Sequence, residues 1–169
     1  MEGVGRIHQQ TFIGTHAKVA FAKLYDRKTP ITAADLLDDR VVPFHDEHEV
    51  EPQRLLTDRG TEFCGSPERH EYQPYLAVED IDHTRTKTKS PQTNGIRERF
   101  HRTVLDEFHR VAFRKKLYRS IEELQADLGV WVADYNKVRP HQGRWCYGKT
   151  PMQTFLDAVP LAKEKLIAA

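Results

Sequence analysis

Cysteine is scarce in these 169 residues: Cys64 and Cys146 are the only two, and they stand far apart. No Cys-x-x-Cys pair is present, which excludes a disulfide framework or a zinc knuckle and leaves two reduced thiols. Long apolar runs are missing too. No stretch approaches the ~18 residues that a membrane span needs, so no membrane partner is expected. Met1 to Arg6 has no apolar signal region and no cleavage signal, and the expected location is cytoplasmic. Net charge is almost nil, with 26 Lys and Arg against 25 Asp and Glu. Global charge therefore says nothing about a polyanionic partner. Repeats and low-complexity linkers are absent, which fits one domain with a buried core.

The distribution of charge says more. From Thr84 to Ser120 there are eleven basic residues and three acidic ones, a local net charge of +8. Acidic residues gather earlier, from Asp35 to Glu51. A basic block of this kind fits a nucleic-acid footprint or a solvated helix face, and charge alone does not choose between them.

Ile7 to Ile13 and Val19 to Tyr25 are short, rich in β-branched and aromatic residues, and separated by Gly14-Thr15-His16. They predict two antiparallel strands joined by a turn. Thr32 with Asp35 resembles a capping box for a short helix whose end lies near Pro43. Gln53 to Thr57 predicts a brief buried strand, Tyr72 to Glu79 a helix, and Asp82 to Thr86 a further strand. Lys87 to Gly95 is a polar loop by composition. Ile96, Phe100, Val104, Leu105, Phe108, Val111 and Ala112 then follow at helical spacing. Ser120 to Glu123 is a capping box for a last major helix with the stripe Leu124, Leu128, Trp131, Val132 and Tyr135. Pro140 ends it, the stretch from Arg139 to Phe155 is turn-rich, and a short helix closes the chain. This order predicts an α/β domain with a small mixed sheet.

Two carboxylates carry candidate chemistry. Asp58 stands at the end of a predicted strand, where scaffolds place reactive groups, although Asp-x-Gly is also a common turn. Glu98 lies in the first turns of the long helix beside its apolar stripe, although an acid there also suits the helix dipole. Taken singly, each has an ordinary structural role. As a pair flanked by cationic loops they are suited to hold divalent metal against phosphate oxygens.

Leu55 to Phe63 (LLTDRGTEF) resembles the second-aspartate motif of the DDE, retroviral-integrase-like transposases. Ser90 to His101 (SPQTNGIRERFH) resembles their glutamate motif, and thirty-nine residues separate Asp58 from Glu98. Asp134-Tyr135-Asn136, Arg139-Pro140-His141-Gln142 and Thr150-Pro151 are similar to the downstream signature of bacterial insertion-sequence transposases. The likeness runs over nearly the whole chain, so residues 1–169 are expected to form one integrase-type catalytic core with a helical tail from about 120. The resemblance implies a ribonuclease-H-like mixed sheet flanked by helices. It implies Asp58 and Glu98 as catalytic, metal-binding carboxylates, serving two Mg2+ (or Mn2+) ions in the intact family site. The reaction would be DNA cleavage at element ends and joining to target DNA. Lys87, Lys89, Asn94, Arg97, Arg99 and Arg102 are the candidate DNA contacts, with Asn94 and Gly95 keeping the loop before the helix pliable. Arg139 and His141 are read as ties between the tail and the core.

The sequence departs from that pattern at its start. The family's first aspartate lies on a strand before the Ile7–Tyr25 hairpin, and the only acid before Ile7 is Glu2. The expectation is a sheet lacking its first, central strand, an N-terminally truncated enzyme, and a chain that alone does not transpose DNA. Three readings stay open: a crippled transposase core, a DNA-binding remnant that inhibits an intact transposase, and a nuclease that cuts without joining. A homo-oligomer is expected for the first.

Overall fold

The computed structural model describes residues 5–57, 62–63, 71–85 and 91–167; for 85, 91–94, 166 and 167 it describes the backbone only. Strands β1 (His8–Ile13) and β2 (Ala20–Tyr25) form the predicted antiparallel hairpin. Their register runs from His8 opposite Tyr25 to Ile13 opposite Ala20. Burial along β2 alternates strictly, with Ala20, Ala22 and Leu24 inside. That period of two follows from side chains pointing to opposite faces of a strand.

A helical run follows: α1 (Pro30–Leu36), a π-helical turn over Leu37–Val41, then α2 (Val42–Glu47). The predicted cap was one turn late. Thr29 is the N-cap, its hydroxyl accepting from the Thr32 amide while the Thr32 hydroxyl accepts from the Thr29 amide. Pro30 fits the first position because its missing N–H would have no helical partner. Pro43 does not end the run; it opens α2 directly after the wide π turn. Strands β3 (Arg54–Thr57) and β4 (Asp82–Arg85) pair in parallel and are joined through α3 (Tyr72–Val78). Pairing is thus of both kinds, in two separate two-stranded ladders.

The long helix starts earlier than the sequence suggests. Helix α4 spans Pro91–Thr103, passes through a π-helical turn at Val104–His109, and continues as α5 (Arg110–Lys115). Asn94 and Gly95 are therefore helical and not part of a pliable loop. Proline at the first position hid the start, since it reads as a breaker unless taken as N1. The π turn also corrects the predicted stripe. Phe100, Val104 and Phe108 are buried, but Leu105 and Val111 are exposed at 46% and 39%. Wider turns keep every fourth residue in line and rotate the flanking positions outward.

Helix α6 (Ile121–Lys137) is capped by Ser120, whose hydroxyl accepts from the Glu123 amide at 3.2 Å. The Glu123 carboxylate reaches the Arg119 amide, one residue before the box position. Its predicted stripe is inside, with Trp131 half-buried. It ends at Lys137, before Pro140. Gly129 sits on its exposed side, and a Cβ there would meet nothing within 4 Å. Gly129→Ala should therefore stabilise the protein by about 1 kcal/mol through helix propensity. Urea denaturation checks this, and a loss of stability would refute it. The closing helix α7 (Pro151–Ile167) has seventeen residues, not the short helix expected, and carries Pro160 inside.

Two cores result. One joins β2 to α4, its π turn and α6 through Leu24, Phe100, Val104, Leu124, Leu128 and Tyr135. The other joins α1, β3 and α3 through Ala33, Leu37, Leu55, Tyr72 and Leu76, with Phe12 and Phe21 of the hairpin packed against it. Helices thus cover both faces of the hairpin. A cavity of about 730 Å3 runs along β1 and β3 and is lined largely by apolar groups, among them Phe12, Leu36 and Leu55.

Side-chain amides close the outer edge of β2. Asn136 accepts from the Ala20 amide at 2.9 Å and donates to the Ala20 carbonyl at 2.8 Å. Gln125, three turns earlier on α6, accepts from the Leu24 amide at 2.7 Å and donates to the Ala22 carbonyl at 3.3 Å. The alternate residues Ala20, Ala22 and Leu24 thereby find partners on the helix in place of a third strand.

Candidate nucleic-acid interface

Helix α4 carries the described part of the predicted site. Glu98, Arg99 and Arg102 are exposed on it, and Arg97 is half-buried where it borders the cavity beside β1. The buried Phe100 fixes the rotation of the helix, which turns Glu98 and Arg99 together toward solvent. Next to them, the His101 ring meets the Thr11 hydroxyl of β1 at 2.5 Å. Asp58, Lys87, Lys89 and Cys64 lie outside the described residues, as does the side chain of Asn94.

The turn between β1 and β2 lies beside this helix. Gly14 and Val19 close it, the Gly14 amide donating to the Val19 carbonyl at 2.8 Å. Lys18 has a positive φ of 65° and donates its ammonium to the Thr15 carbonyl. Burial lowers the affinity of Lys18 for its proton; Cys146 opposes this, and the nearby Arg99 guanidinium adds to it. Two cations thus share one region at the junction of the hairpin and α4.

The segment from Arg139 to Lys149 folds over that junction. Arg139 bridges to Glu107 and stacks its guanidinium 5.9 Å from the Tyr135 ring. His141 meets the same ring edge-on at 4.7 Å. These contacts tie the segment to the helices, as the sequence reading held for both residues. Cys146 is wholly buried, with Sγ 3.5 Å from the Ala17 carbonyl, and is a free thiol.

Glu62, missed by the sequence reading, is a second carboxylate of interest. It is only 3% exposed; Oε1 pairs with Lys28 at 2.6 Å, and buried Oε2 finds no partner among the described residues. Glu62 lies inside the LLTDRGTEF motif, and only its burial, which no local pattern announces, sets it apart. Among the described residues, no three His, Cys, Asp or Glu side chains cluster as a metal site.

Three partly buried histidines are expected to make the scaffold sensitive to acid. Burial pushes His45, His109 and His141 below the ordinary histidine value of 6.5. His109 Nε2 engages the Gln9 side chain at 2.8 Å, whereas buried His109 Nδ1 and His141 Nε2 have no partner among the described residues. Protonation would bury unpaired charge there. The folded values lie below the unfolded one, so their contribution is full above pH 6.5 and is lost as pH falls through the folded values. The melting temperature should drop between pH 7.5 and 5. His109→Gln combined with His141→Gln should flatten that drop, and an unchanged profile would refute the assignment.

Comparison with known proteins places these features. Residues 79–151 match the family described as "Integrase core domain". The ORF3 product of Spiroplasma virus SpV1-C74, which carries an integrase assignment, is 28% identical over 160 residues, or 90% of this chain. The chain spans 42% of that relative's length. The catalytic core domain of BIV integrase superposes with a TM-score of 0.66 at 19% identity, covering 90% of this chain and 88% of that one. The HTLV-2 integrase catalytic core domain, solved in complex with magnesium, gives 0.65 at 14% identity, with 86% and 82% covered. The fold is accordingly ribonuclease-H-like, a mixed α/β arrangement of the kind the motifs implied. Among the described residues, no helix is long and apolar enough to cross a membrane.

Proposed function

We propose that this chain is an integrase/transposase catalytic core serving DNA integration or transposition, and that it holds DNA along the exposed side of α4 and the adjoining hairpin turn. The observation that carries this reading is the placement of Arg99 and Arg102 beside Glu98 on one exposed helix side, with Lys18 within electrostatic range of Arg99. Cations so placed would take phosphates and position the duplex without reading sequence. Asp58 and Glu98 are the proposed catalytic and metal-binding carboxylates, taking Mg2+ or Mn2+, which when bound would activate the attacking oxygen and stabilise the leaving one. Lys87, Lys89, Asn94 and Arg97 complete the proposed DNA contacts. The element ends and the target are the proposed substrates. Residues 1–169 are proposed to act as one core domain that self-associates.

Salt dependence tests the binding. Arg99→Ala and Arg102→Ala should each weaken duplex binding and lower the slope of log affinity against log salt by about 0.9. Slopes unchanged in both variants would refute the assigned face. Strand transfer measured in parallel tests the chemistry: the chain alone is proposed to give no joined product, and magnesium-dependent product from it that vanishes in Asp58→Asn and Glu98→Gln would refute that.

The exposed Arg99 and Arg102 of α4 serve equally a second reading, a non-catalytic DNA-binding partner of an intact transposase. Binding that survives both carboxylate substitutions and ignores magnesium, with no joined product from the unaltered chain, would select it.

A further inference from the structure

Two of the most exposed aromatic side chains sit on one tight loop. Trp145 is 45% exposed and Tyr147 is 72% exposed. Both hold a left-handed backbone, with φ of 76° and 47°, and Gly148 follows at 87°. Left-handed φ is unfavourable for bulky residues and persists only where the surroundings enforce it. Here they do. The amides of Cys146 and Tyr147 both donate to the Gly143 carbonyl at 3.2 Å. Gly148 donates to the His141 carbonyl at 2.8 Å, and His141 donates to the Lys149 carbonyl at 3.0 Å. Cys146, between the two aromatics, is the buried peg that anchors the loop to the hairpin turn. The loop is strained so that its small thiol points in and its large rings point out, the reverse of what hydrophobic burial would favour.

The surroundings of Trp145 are cationic. The Arg144 guanidinium stands 4.5 Å from its ring centre, and the exposed His16 ring lies 5.2 Å away at 32°. His16 belongs to the turn that carries Lys18, and the Lys18 ammonium lies within electrostatic range of Arg99 of α4. The aromatic loop is therefore continuous with the basic face. Rings amid positive charge suit a ligand that offers both a π-face and phosphate. In a duplex each base face is covered by its neighbours, so rings on a loop reach only bases that are unstacked.

We infer that the loop from Gln142 to Gly148 is a stacking site for unpaired nucleotides, with Trp145 taking the base, Tyr147 beside it, and Arg144 and Lys18 taking the flanking phosphates. This rests on the DNA-binding reading above and narrows it to single-stranded ends or flaps at that place. The substrate would then be a duplex whose terminal bases are frayed or overhanging, with the paired part along α4.

The test uses the full chain and three probes: a twelve-nucleotide oligothymidine, a blunt duplex, and the same duplex with a single-stranded overhang. Affinity is read by anisotropy, and stacking by quenching of tryptophan emission. Oligothymidine and overhang should quench Trp145, and Trp145→Ala should weaken both by roughly tenfold while blunt-duplex affinity stays within about twofold. Trp145→Phe should keep most of the affinity and lose the quenching, which separates stacking from mere loop integrity; equal melting temperatures check the fold. Unchanged oligothymidine affinity in Trp145→Ala, with blunt duplex still bound, overturns the stacking site and leaves the DNA reading standing. Failure of the unaltered chain to bind any of the three overturns both.

Discussion

Phe100→Ala should cost about 3–5 kcal/mol of unfolding free energy, the largest loss expected from one substitution in this chain. The ring is 1% exposed and meets the Tyr135 ring edge-on at 5.0 Å, with Trp131 at 6.3 Å. Leu124 and Leu128 of α6, both at or near zero exposure, belong to the same cluster. A void left there would close poorly. Its far wall is β2, and β2 is hydrogen-bonded to α6 through Asn136 and Gln125, so helix and strand cannot slide together. Domains of this size are stable by only about 5–15 kcal/mol, so the variant would lie near the edge of folding. Leu105→Ala is the control: 46% exposed, it should change stability by no more than about 0.5 kcal/mol. Urea denaturation of both decides the matter. Equal losses would mean that the π turn does not rotate Leu105 out of the core as described.

Asn136→Ala should cost about 2–4 kcal/mol, with nearly all of it coming from hydrogen bonds. Asn136 is 6% exposed, and its amide answers both the N–H and the C=O of Ala20, itself fully buried. Removing the amide strands two buried backbone groups, each costing about 1–3 kcal/mol when left unpaired. Alanine is also too small to fill the space, and a water entering it would recover part of the loss. Hydrogen exchange at the Ala20 amide separates the causes. It should exchange only with global unfolding in the unaltered protein and become markedly faster in the variant. A stability loss without faster exchange at Ala20 would assign the cost to packing instead.

Much of this architecture is legible in the sequence because it is local. Short β-branched and aromatic stretches on either side of Gly14-Thr15-His16 gave the hairpin, Ser120 gave the start of α6, and Leu124 to Tyr135 gave its buried stripe. What was not legible depends on residues far apart or on local rules that compete. The contact between Asn136 and Ala20 spans 116 residues. Pro91 falls in the stretch that composition marks as a polar loop, yet it opens α4, and Pro160 lies within a closing helix longer than the sequence suggests. The π turns at Leu37–Val41 and Val104–His109 leave no pattern of their own, and the second misplaced Leu105 and Val111.

The candidate site divides in the same way. Glu98, Arg99 and Arg102 were read from a motif on one helix, and the helix does present them. Glu62 was passed over because burial, and not spacing, distinguishes it. Trp145 and Tyr147 were passed over because a segment with Gly143 and Gly148 reads simply as a turn. Its outward-facing rings appear only once Cys146 is seen to point inward.

The amide stopper on β2 also bears on how molecules meet. A hairpin normally offers its unpaired backbone on both flanks, and either flank can recruit a neighbour into an open-ended stack. Here α6 occupies one flank, and the other belongs to β1, which borders the interior cavity shared with β3. Any backbone that joined this hairpin would have to thread into the body of the protein and lie between two ladders. Chance collisions are thereby denied a template along β2, whose edge is closed by one asparagine and one glutamine.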